Sequence, residues 1–187
     1  MGYTLRSFFV PVREGKNDLS EIRKHYEDEY GENIQYHPGT GFAAVGPETD
    51  SDFEPWDLSE DSEVFGEAIG IQVMTYGDDF FFYDHWINGE QVRGLTYDPY
   101  AGWIRVEGKQ EEWEKKSFFE PGMPEEDLSW MEQDTHMGEK EKAQRIFQLR
   151  HLTEVLHLVQ DFYYPVISGE KMLFDLITFF NLTCPRL

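Results

Sequence analysis

The sequence predicts an α+β fold in which an antiparallel sheet, with a central meander over about residues 68–107, packs against a long C-terminal helix and an N-terminal helix. Three observations lead to this fold class. Asn88-Gly89 lies between two runs rich in aromatic and β-branched residues, which is the strongest short signal for a β-hairpin. Alternation of apolar residues continues on both sides of this hairpin. Two other segments carry apolar residues at helical spacing.

The Asn88-Gly89 loop fixes which residues of the two hairpin strands face each other. We expect Ile87 opposite Glu90, and Asp84 opposite Arg93 as an ion pair. Neighbours on a strand point to opposite faces, so Asp84 cannot assist His85, which needs a carboxylate from another element. One face is expected to carry Phe80, Phe82, Asp84, Trp86, Gln91, Arg93, Leu95 and Tyr97, and the other Phe81, Tyr83, His85, Ile87, Val92 and Thr96.

The first part of the chain is predicted to form a strand and a short helix. Tyr3–Val12 is rich in aromatic and β-branched residues, which indicates a strand. Asp18 is placed to cap a helix, and Glu21 completes a capping box three residues later. The apolar stripe of this helix is Leu19, Ile22, Tyr26 and Tyr30, and Gly31 ends it.

Between this helix and the hairpin we expect a glycine-rich strand or loop that packs in the sheet, then a longer loop, and then a strand. The piece from Pro38 to Gly46 lacks a nearby lysine and precedes Pro47 and a run of acids, so it is not typical of a phosphate loop. Glu48–Glu67 is predicted to be a loop that Trp56 anchors to the core. Alternation over Ala68–Tyr76 predicts a strand that leads into the hairpin.

The remaining part is predicted to add one strand and two helices. Trp103–Glu107 alternates and forms the last strand of the meander. A polar, turn-rich segment follows Gly108, with Trp113 and Phe118-Phe119 as packing points. Glu139–Phe162 has an apolar arc wide enough for a helix buried against the sheet. Met172–Phe180 is predicted to be a short second helix.

Length and composition favour one domain over residues 1–187. No apolar run reaches the length of a membrane span, and the first residues lack the pattern of a signal peptide. The single cysteine, Cys184, allows no internal disulfide, so we expect a cytoplasmic location.

The formal net charge of −21 is unevenly distributed along the chain. Residues 138–187 hold six acids and six bases, so the whole excess lies in residues 1–137, with 31 acids against 10 bases. Contact with nucleic-acid phosphates or with anionic membranes depends on Lys and Arg. The distribution therefore argues against both and is compatible with a basic protein partner. The alternative to a basic partner is that the acidic residues only keep the chain soluble.

Motifs for catalysis and metal binding are incomplete. There is no Gly-x-Ser-x-Gly elbow, and Cys184 has no nearby histidine. His151, Glu154 and His157 lie three residues apart, and Glu154-x-x-His157 is half of a di-iron carboxylate motif. Because no second half and no His-Glu-x-x-His pattern occurs, we expect no metal and no cofactor.

Aromatic and charged residues of the meander are the candidate binding residues. Trp, Tyr and Arg dominate binding hot spots, although large aromatic residues also pack cores. The candidates are His85, Trp86, Arg93, Tyr97, Trp103 and Arg105.

Two functions remain open from the sequence. The first is a non-enzymatic, intracellular interaction or regulatory protein that binds a basic partner, in the manner of an immunity protein or an adaptor. The second is a small-ligand binder or hydrolase with a histidine–carboxylate site, built on His85 or His157, in a pocket between the sheet and a helix.

Overall fold

The computed structural model describes residues 4–28, 33–46, 54–75, 80–98, 102–109, 111–114, 138 and 169–184. These residues form an α+β fold with one antiparallel sheet of seven strands. The strands are β1 (Thr4–Pro11), β2 (Ile34–Gln35), β3 (Phe42–Val45), β4 (Glu67–Met74), β5 (Phe80–Ile87), β6 (Glu90–Asp98) and β7 (Gly102–Gly108). The helices in this part of the chain are α1 (Leu19–His25), α2 (Ser59–Phe65) and α3 (Gly169–Phe180).

The sheet is built around β1 and β4, which lie side by side. Its spatial order is β2-β3-β1-β4-β5-β6-β7, and every neighbouring pair is antiparallel. Strand β4 is buried on both faces along most of its length. Each face of the sheet therefore needs its own cover of apolar residues.

Helix α3 covers one face of the sheet, here called the α3 face. Leu173 and Leu176 of α3 are fully buried against it. Burial of a leucine side chain stabilises a fold by roughly 1.5–3 kcal/mol. This core also contains Trp113, which follows β7, and residues of the sheet. The sheet residues are Leu5, Phe9, Phe42, Ala44, Ile69, Ile71, Val73, Phe81, Tyr83, Leu95 and Tyr97.

Helices α1 and α2 cover part of the opposite face, here called the α1–α2 face. Ile22 of α1 and Phe65 of α2 are buried there beside Phe8 of β1. Helix α1 begins as the sequence predicts, because Asp18 accepts hydrogen bonds from the backbone of Ser20 and Glu21 and the capping box is complete.

The turn between β5 and β6 has the predicted form. Asn88 and Gly89 have φ angles of 49° and 84°, and Ile87 lies opposite Glu90. Positive φ at both central residues is what a type I′ turn requires.

The predicted register beyond the turn is wrong, because β6 contains a bulge. Trp86 pairs with Gln91, whereas His85 pairs with Arg93, so Val92 is an extra residue. An extra residue moves all later side chains of the strand to the other face. Arg93 thus lies opposite His85 rather than Asp84, Asp84 faces Gly94, Phe82 faces Thr96, and Tyr97 faces Phe81.

The segment predicted as a loop from Glu48 to Glu67 contains helix α2, so this prediction is wrong for residues 59–65. Asp57 accepts hydrogen bonds from the backbone N–H and the hydroxyl of Ser59, so one of the free N–H groups in the first turn of the helix has a partner. Trp56 is an anchor as expected. The centroids of the Trp56 and Phe8 rings are 5.5 Å apart, and the Trp56 ring lies directly over Gly70.

Several predictions fall outside the described residues. These are the helix over Glu139–Phe162 with His151, Glu154 and His157, the residues Tyr30 and Gly31, and the packing role of Phe118-Phe119. The short helix predicted over Met172–Phe180 is present as α3.

In the part of the chain that is described, no helix has the length and apolar character needed to cross a membrane.

Candidate functional site

His85 lies on β5 in the α3 face, and each of its ring nitrogens meets a carboxylate. Nδ1 is 2.5 Å from Oε1 of Glu111, and Nε2 is 3.1 Å from Oε1 of Glu67. Glu67 begins the neighbouring strand β4, and Glu111 follows β7. The imidazole is almost inaccessible to solvent. The expectation that His85 needs a carboxylate from another element is confirmed twice.

Glu111 is held by three side chains. Its Oε1 faces His85, and its Oε2 accepts a hydrogen bond from the Tyr83 hydroxyl at 2.6 Å and one from Nε1 of Trp113 at 2.8 Å. The Trp113 ring also packs edge-to-face on the Tyr83 ring. A carboxylate with this many donors keeps its charge inside the protein. The site therefore has a fixed geometry.

A second buried ion pair lies beside this site. Nε and Nη2 of Arg93 donate to the two carboxylate oxygens of Glu114 at 2.7 and 2.6 Å. Nη1 of Arg93 donates to the carbonyl oxygens of Glu107 and Gly108 at 2.9 and 3.1 Å. Because both side chains are buried, removing either charge would leave the other unpaired in a low dielectric.

The two networks are joined through the backbone. The N–H of Glu111 donates to Oε1 of Glu114 at 2.9 Å. Glu111 directly precedes a helical turn at 112–114, which carries Trp113 and Glu114. Strands β4, β5 and β6 are thus tied to the segment after β7 by charged hydrogen bonds, which are stronger than neutral ones.

The carboxylates determine the charge of His85. Burial by itself lowers the pKa of His85, but the hydrogen bonds to Glu111 and Glu67 and their charges outweigh burial and raise the pKa from 6.5 to about 9. Burial raises the pKa of Glu111, and the hydrogen bond and charge of His85 overcome this effect, so the pKa lies below its ordinary value. The imidazole is therefore protonated at neutral pH.

A protonated His85 has a limited chemistry. Both N–H groups donate to carboxylates, so no lone pair remains to take a proton or to bind a metal ion. A general base needs a free lone pair within reach of a substrate. The geometry makes His85 a cation that holds Glu67 and Glu111 together.

The α1–α2 face of the same strands carries a third ion pair. Asp84 is fully buried and accepts hydrogen bonds from Nη2 of Arg105 at 2.6 Å, from the backbone N–H of Trp56 at 2.9 Å and from Nε2 of Gln91 at 2.9 Å. Asp84 therefore has a structural cationic partner, but this partner is Arg105 rather than the predicted Arg93.

Gly94 lies opposite Asp84 and leaves room for this pair. A Cβ atom at Gly94 would lie 3.2 Å from Cζ and Nη1 of Arg105 and 3.1 Å from Nε2 of Gln91. Such distances are tighter than ordinary van der Waals contact. Gly94 therefore allows Arg105 to reach across β6 to the carboxylate on β5.

The six candidate binding residues do not come together at one place. His85, Arg93 and Tyr97 lie on the α3 face, where Tyr97 is part of the core. Trp86 packs into the opposite core. Arg105 lies on the α1–α2 face beside Asp84, and the backbone of Trp103 pairs with Tyr97.

Glu67, Glu111 and Glu114 are the site residues that sequence reasoning missed. Because the chain contains 37 acids, the sequence does not show which of them are the partners of His85 and Arg93. The available signal was the buried position of His85 on a central strand, because a buried imidazole needs hydrogen-bond partners.

No group of three or more His, Cys, Asp or Glu side chains within the described ranges is arranged to hold a metal ion. In comparisons with known proteins, no family model matches this chain, and no curated protein and no solved structure matches it either.

Proposed function

We propose that this chain is a non-enzymatic interaction protein that binds a basic protein partner through helix α2 and the turn between β5 and β6. The observation that carries the proposal is a set of exposed acids on α2 and at the adjoining turn, with one exposed apolar side chain on each of these two elements. We call it the α2–hairpin surface, and it consists of Glu60, Glu63, Val64, Ile87 and Glu90.

Two of the three acids of this surface, Glu60 and Glu63, lie in a stretch without Lys or Arg. Nine acids and no Lys or Arg occur between Glu48 and Glu67. Glu60 and Glu63 of α2 are exposed, and Glu90 at the start of β6 is exposed as well. Arg13 borders the surface, where its Nη2 lies 3.7 Å from Oε2 of Glu67. A potential of one sign attracts a partner of the opposite sign and raises the association rate.

Apolar side chains provide the second component. Val64 is 51% exposed and Ile87 is 37% exposed. Ile87 pairs with Glu67, which follows Val64 by three residues. Protein interfaces combine an apolar centre with a polar rim. Val64 and Ile87 each supply apolar contact area, and the exposed acids of α2 and the turn select a basic partner.

The surface is rigid enough to act as a unit. The backbone N–H of Gly89 donates to the Ser62 hydroxyl at 2.8 Å, and the backbone N–H of Asn88 donates to the carbonyl of Gly66 at 3.2 Å. The turn is thus fixed against α2. Binding then costs little ordering of the backbone, which favours affinity.

The protonation of His85 favours this proposal over a hydrolase. Both ring nitrogens are engaged by Glu67 and Glu111, and the imidazole lies in the core rather than beside open space. The cytoplasmic location belongs to the same proposal and rests on the single cysteine, Cys184.

Affinity capture from a lysate of the source organism tests this function when two charge-reversal variants are compared. Glu60→Lys with Glu63→Lys alters the α2–hairpin surface. Glu27→Lys with Asp28→Lys changes the net charge equally at exposed acids after α1. We expect a basic protein that binds the wild type and the second variant but not the first.

The captured partner must also show the salt dependence of a charged interface. Raising the salt from about 50 to about 300 mM shortens the Debye length and should weaken binding. Ile87→Ser should weaken it as well, because the apolar contact is lost. An acidic partner, or capture that both charge variants reduce equally, would contradict the proposal.

A further inference from the structure

We propose that a cavity beside Arg105 binds an uncharged aromatic molecule that carries one hydrogen-bond acceptor. The cavity has a volume of about 470 Å³ and opens on the α1–α2 face. Small-molecule sites usually fall in the range of roughly 300–1,000 Å³. It is lined by Pro55, Met74, Phe80, Phe82, Thr96, Asp98, Ile104 and Arg105.

Most of the lining is apolar. Phe80 and Phe82 of β5 provide two rings, and Met74, Pro55 and Ile104 complete the apolar part. Aromatic ligands pack well on such rings, in stacked or edge-to-face geometry. Methionine adapts its shape to a ligand because its side chain is unbranched and flexible.

A second bulge shapes the mouth of the cavity. Thr96 pairs with Arg105 but Tyr97 pairs with Trp103, so Ile104 is an extra residue of β7. Ordinary strand neighbours point to opposite faces, whereas a bulge can turn both to one side. Ile104 and Arg105 accordingly both line the cavity, and Ile104 is 58% exposed.

The polar end of the cavity offers hydrogen-bond donors. Nε of Arg105 donates to Oγ1 of Thr96 at 3.0 Å, and Nη2 donates to Asp84 and more weakly to the carbonyl of Leu95. The Thr96 oxygen accepts this bond, so its own hydrogen remains to be donated. Nη1 of Arg105 makes no hydrogen bond to the described residues. An acceptor on the ligand can therefore be bound by Thr96, by Arg105 or by both.

The charges around the cavity select an uncharged ligand. The buried carboxylate of Asp84 neutralises Arg105, and Asp98 is part of the lining. Asp98 is itself engaged in a contact, so neither an anionic nor a cationic ligand would meet a free countercharge among the described residues of the lining. A carbonyl group can accept a hydrogen bond without a countercharge.

The cavity and the α2–hairpin surface are separate places on the sheet. The cavity lies near Phe80, where β5 begins, and the surface lies near Ile87, where β5 ends. Seven steps along a strand cover roughly 23 Å. Occupation of one site can therefore be altered by substitution without changing the other.

Four probes of similar size test the proposal by NMR titration of the ¹⁵N-labelled full chain. They are acetophenone, ethylbenzene, benzoate and benzylamine, which carry a neutral acceptor, no polar group, a negative charge and a positive charge. We expect acetophenone to bind most tightly, about fivefold better than ethylbenzene, because one hydrogen bond contributes about 1 kcal/mol. The shifted signals should belong to residues that line the cavity.

Three variants show whether the probe occupies this cavity. Ile104→Trp fills the mouth and should abolish binding of acetophenone. Thr96→Val removes the hydroxyl and should reduce the preference for acetophenone over ethylbenzene. Phe174→Trp places the same indole at an exposed position of α3, on the other face of the sheet, and should leave binding unchanged. The amide spectrum of each variant in the absence of probe shows whether it is folded.

Three results would overturn the proposal. One is the absence of shifts with every probe up to its solubility limit. Another is acetophenone binding that persists in folded Ile104→Trp protein. The third is tighter binding of benzoate or benzylamine than of acetophenone. Each of these leaves the proposed protein partner untouched, because capture of that partner depends on Glu60, Glu63 and Ile87.

Discussion

Nδ1 of His85 lies 2.5 Å from Oε1 of Glu111, although the two residues are 26 positions apart in the sequence. The second ring nitrogen is held by Glu67 in the same way, at 3.1 Å. With a carboxylate on each side, the imidazole carries a charge that its buried position alone would disfavour. The residue that most suggested catalysis in the sequence is therefore an internal cation that links β5 to β4 and to the segment after β7.

The stability of the fold should fall as the pH rises from about 6.5 to about 9. The pKa of His85 is 6.5 when unfolded and about 9 when folded, so the folded state binds the extra proton in this range. The stabilisation is complete below the lower pKa and is lost as pH passes the upper one. The shift corresponds to roughly 3 kcal/mol. Urea denaturation at a series of pH values measures it.

The variant His85→Gln is the control for this pH dependence. Glutamine keeps hydrogen-bonding capacity but does not titrate, so the fall in stability between these pH values should largely disappear. An equal fall in the variant would mean that another group causes it.

Glu114→Gln should destabilise the fold by about 3 kcal/mol or more, because it leaves the buried guanidinium of Arg93 without a countercharge. Glu27→Gln changes an exposed acid after α1 and should alter the free energy of unfolding by less than about 0.5 kcal/mol. Urea denaturation compares the two. The double replacement Arg93→Met with Glu114→Leu should restore much of the loss. Equal effects of the two glutamine substitutions would contradict the buried pair.

Gly89→Ala should destabilise the protein by about 1–2 kcal/mol. The φ angle of 84° disfavours any residue with a Cβ, and that atom would meet the Glu63 side chain. Asn88→Gly should be tolerated, since glycine accepts the same positive φ. Thermal or urea unfolding distinguishes the two variants, and a neutral Gly89→Ala would show that the turn has another conformation.

Gly94→Ala should cost about 2 kcal/mol, because the new methyl group displaces Arg105 and leaves the buried carboxylate of Asp84 with one donor fewer. Gly138→Ala is the control, as a Cβ there meets no atom of the described residues within 4 Å. The free energy of unfolding of both variants provides the comparison. A loss of stability only in Gly138→Ala would contradict the role given to Gly94.

The sequence predicts the elements of the sheet better than their pairing. The Asn88-Gly89 turn and the capping box at Asp18 depend on neighbouring residues, and both are present. The bulge at Val92 is different, because β6 is buried on both faces beyond it. Without a contrast between polar and apolar faces, the sequence does not reveal a shift of one residue.

Helix α2 was missed for a related reason. It is only seven residues long, and it lies among acids and a proline that are typical of a loop. Its stability comes from packing of Leu58 and Phe65 into the core, and tertiary contacts of this kind have no local sequence pattern. The partners of His85 were unpredictable for the same reason, since Glu111 approaches it only after β6 and β7 have folded back.

Measurement of the His85 pKa by NMR shows whether the imidazole is a cation held between Glu67 and Glu111. Titration of the ¹³C- and ¹⁵N-labelled ring should give a pKa of about 9, with protons on both nitrogens at neutral pH. Glu111→Gln should lower that value, because it removes one of the two countercharges. A His85 pKa at or below 6.5, with a single neutral tautomer at pH 7, would show that the imidazole is not an internal cation and would return His85 to the candidates for acid–base catalysis.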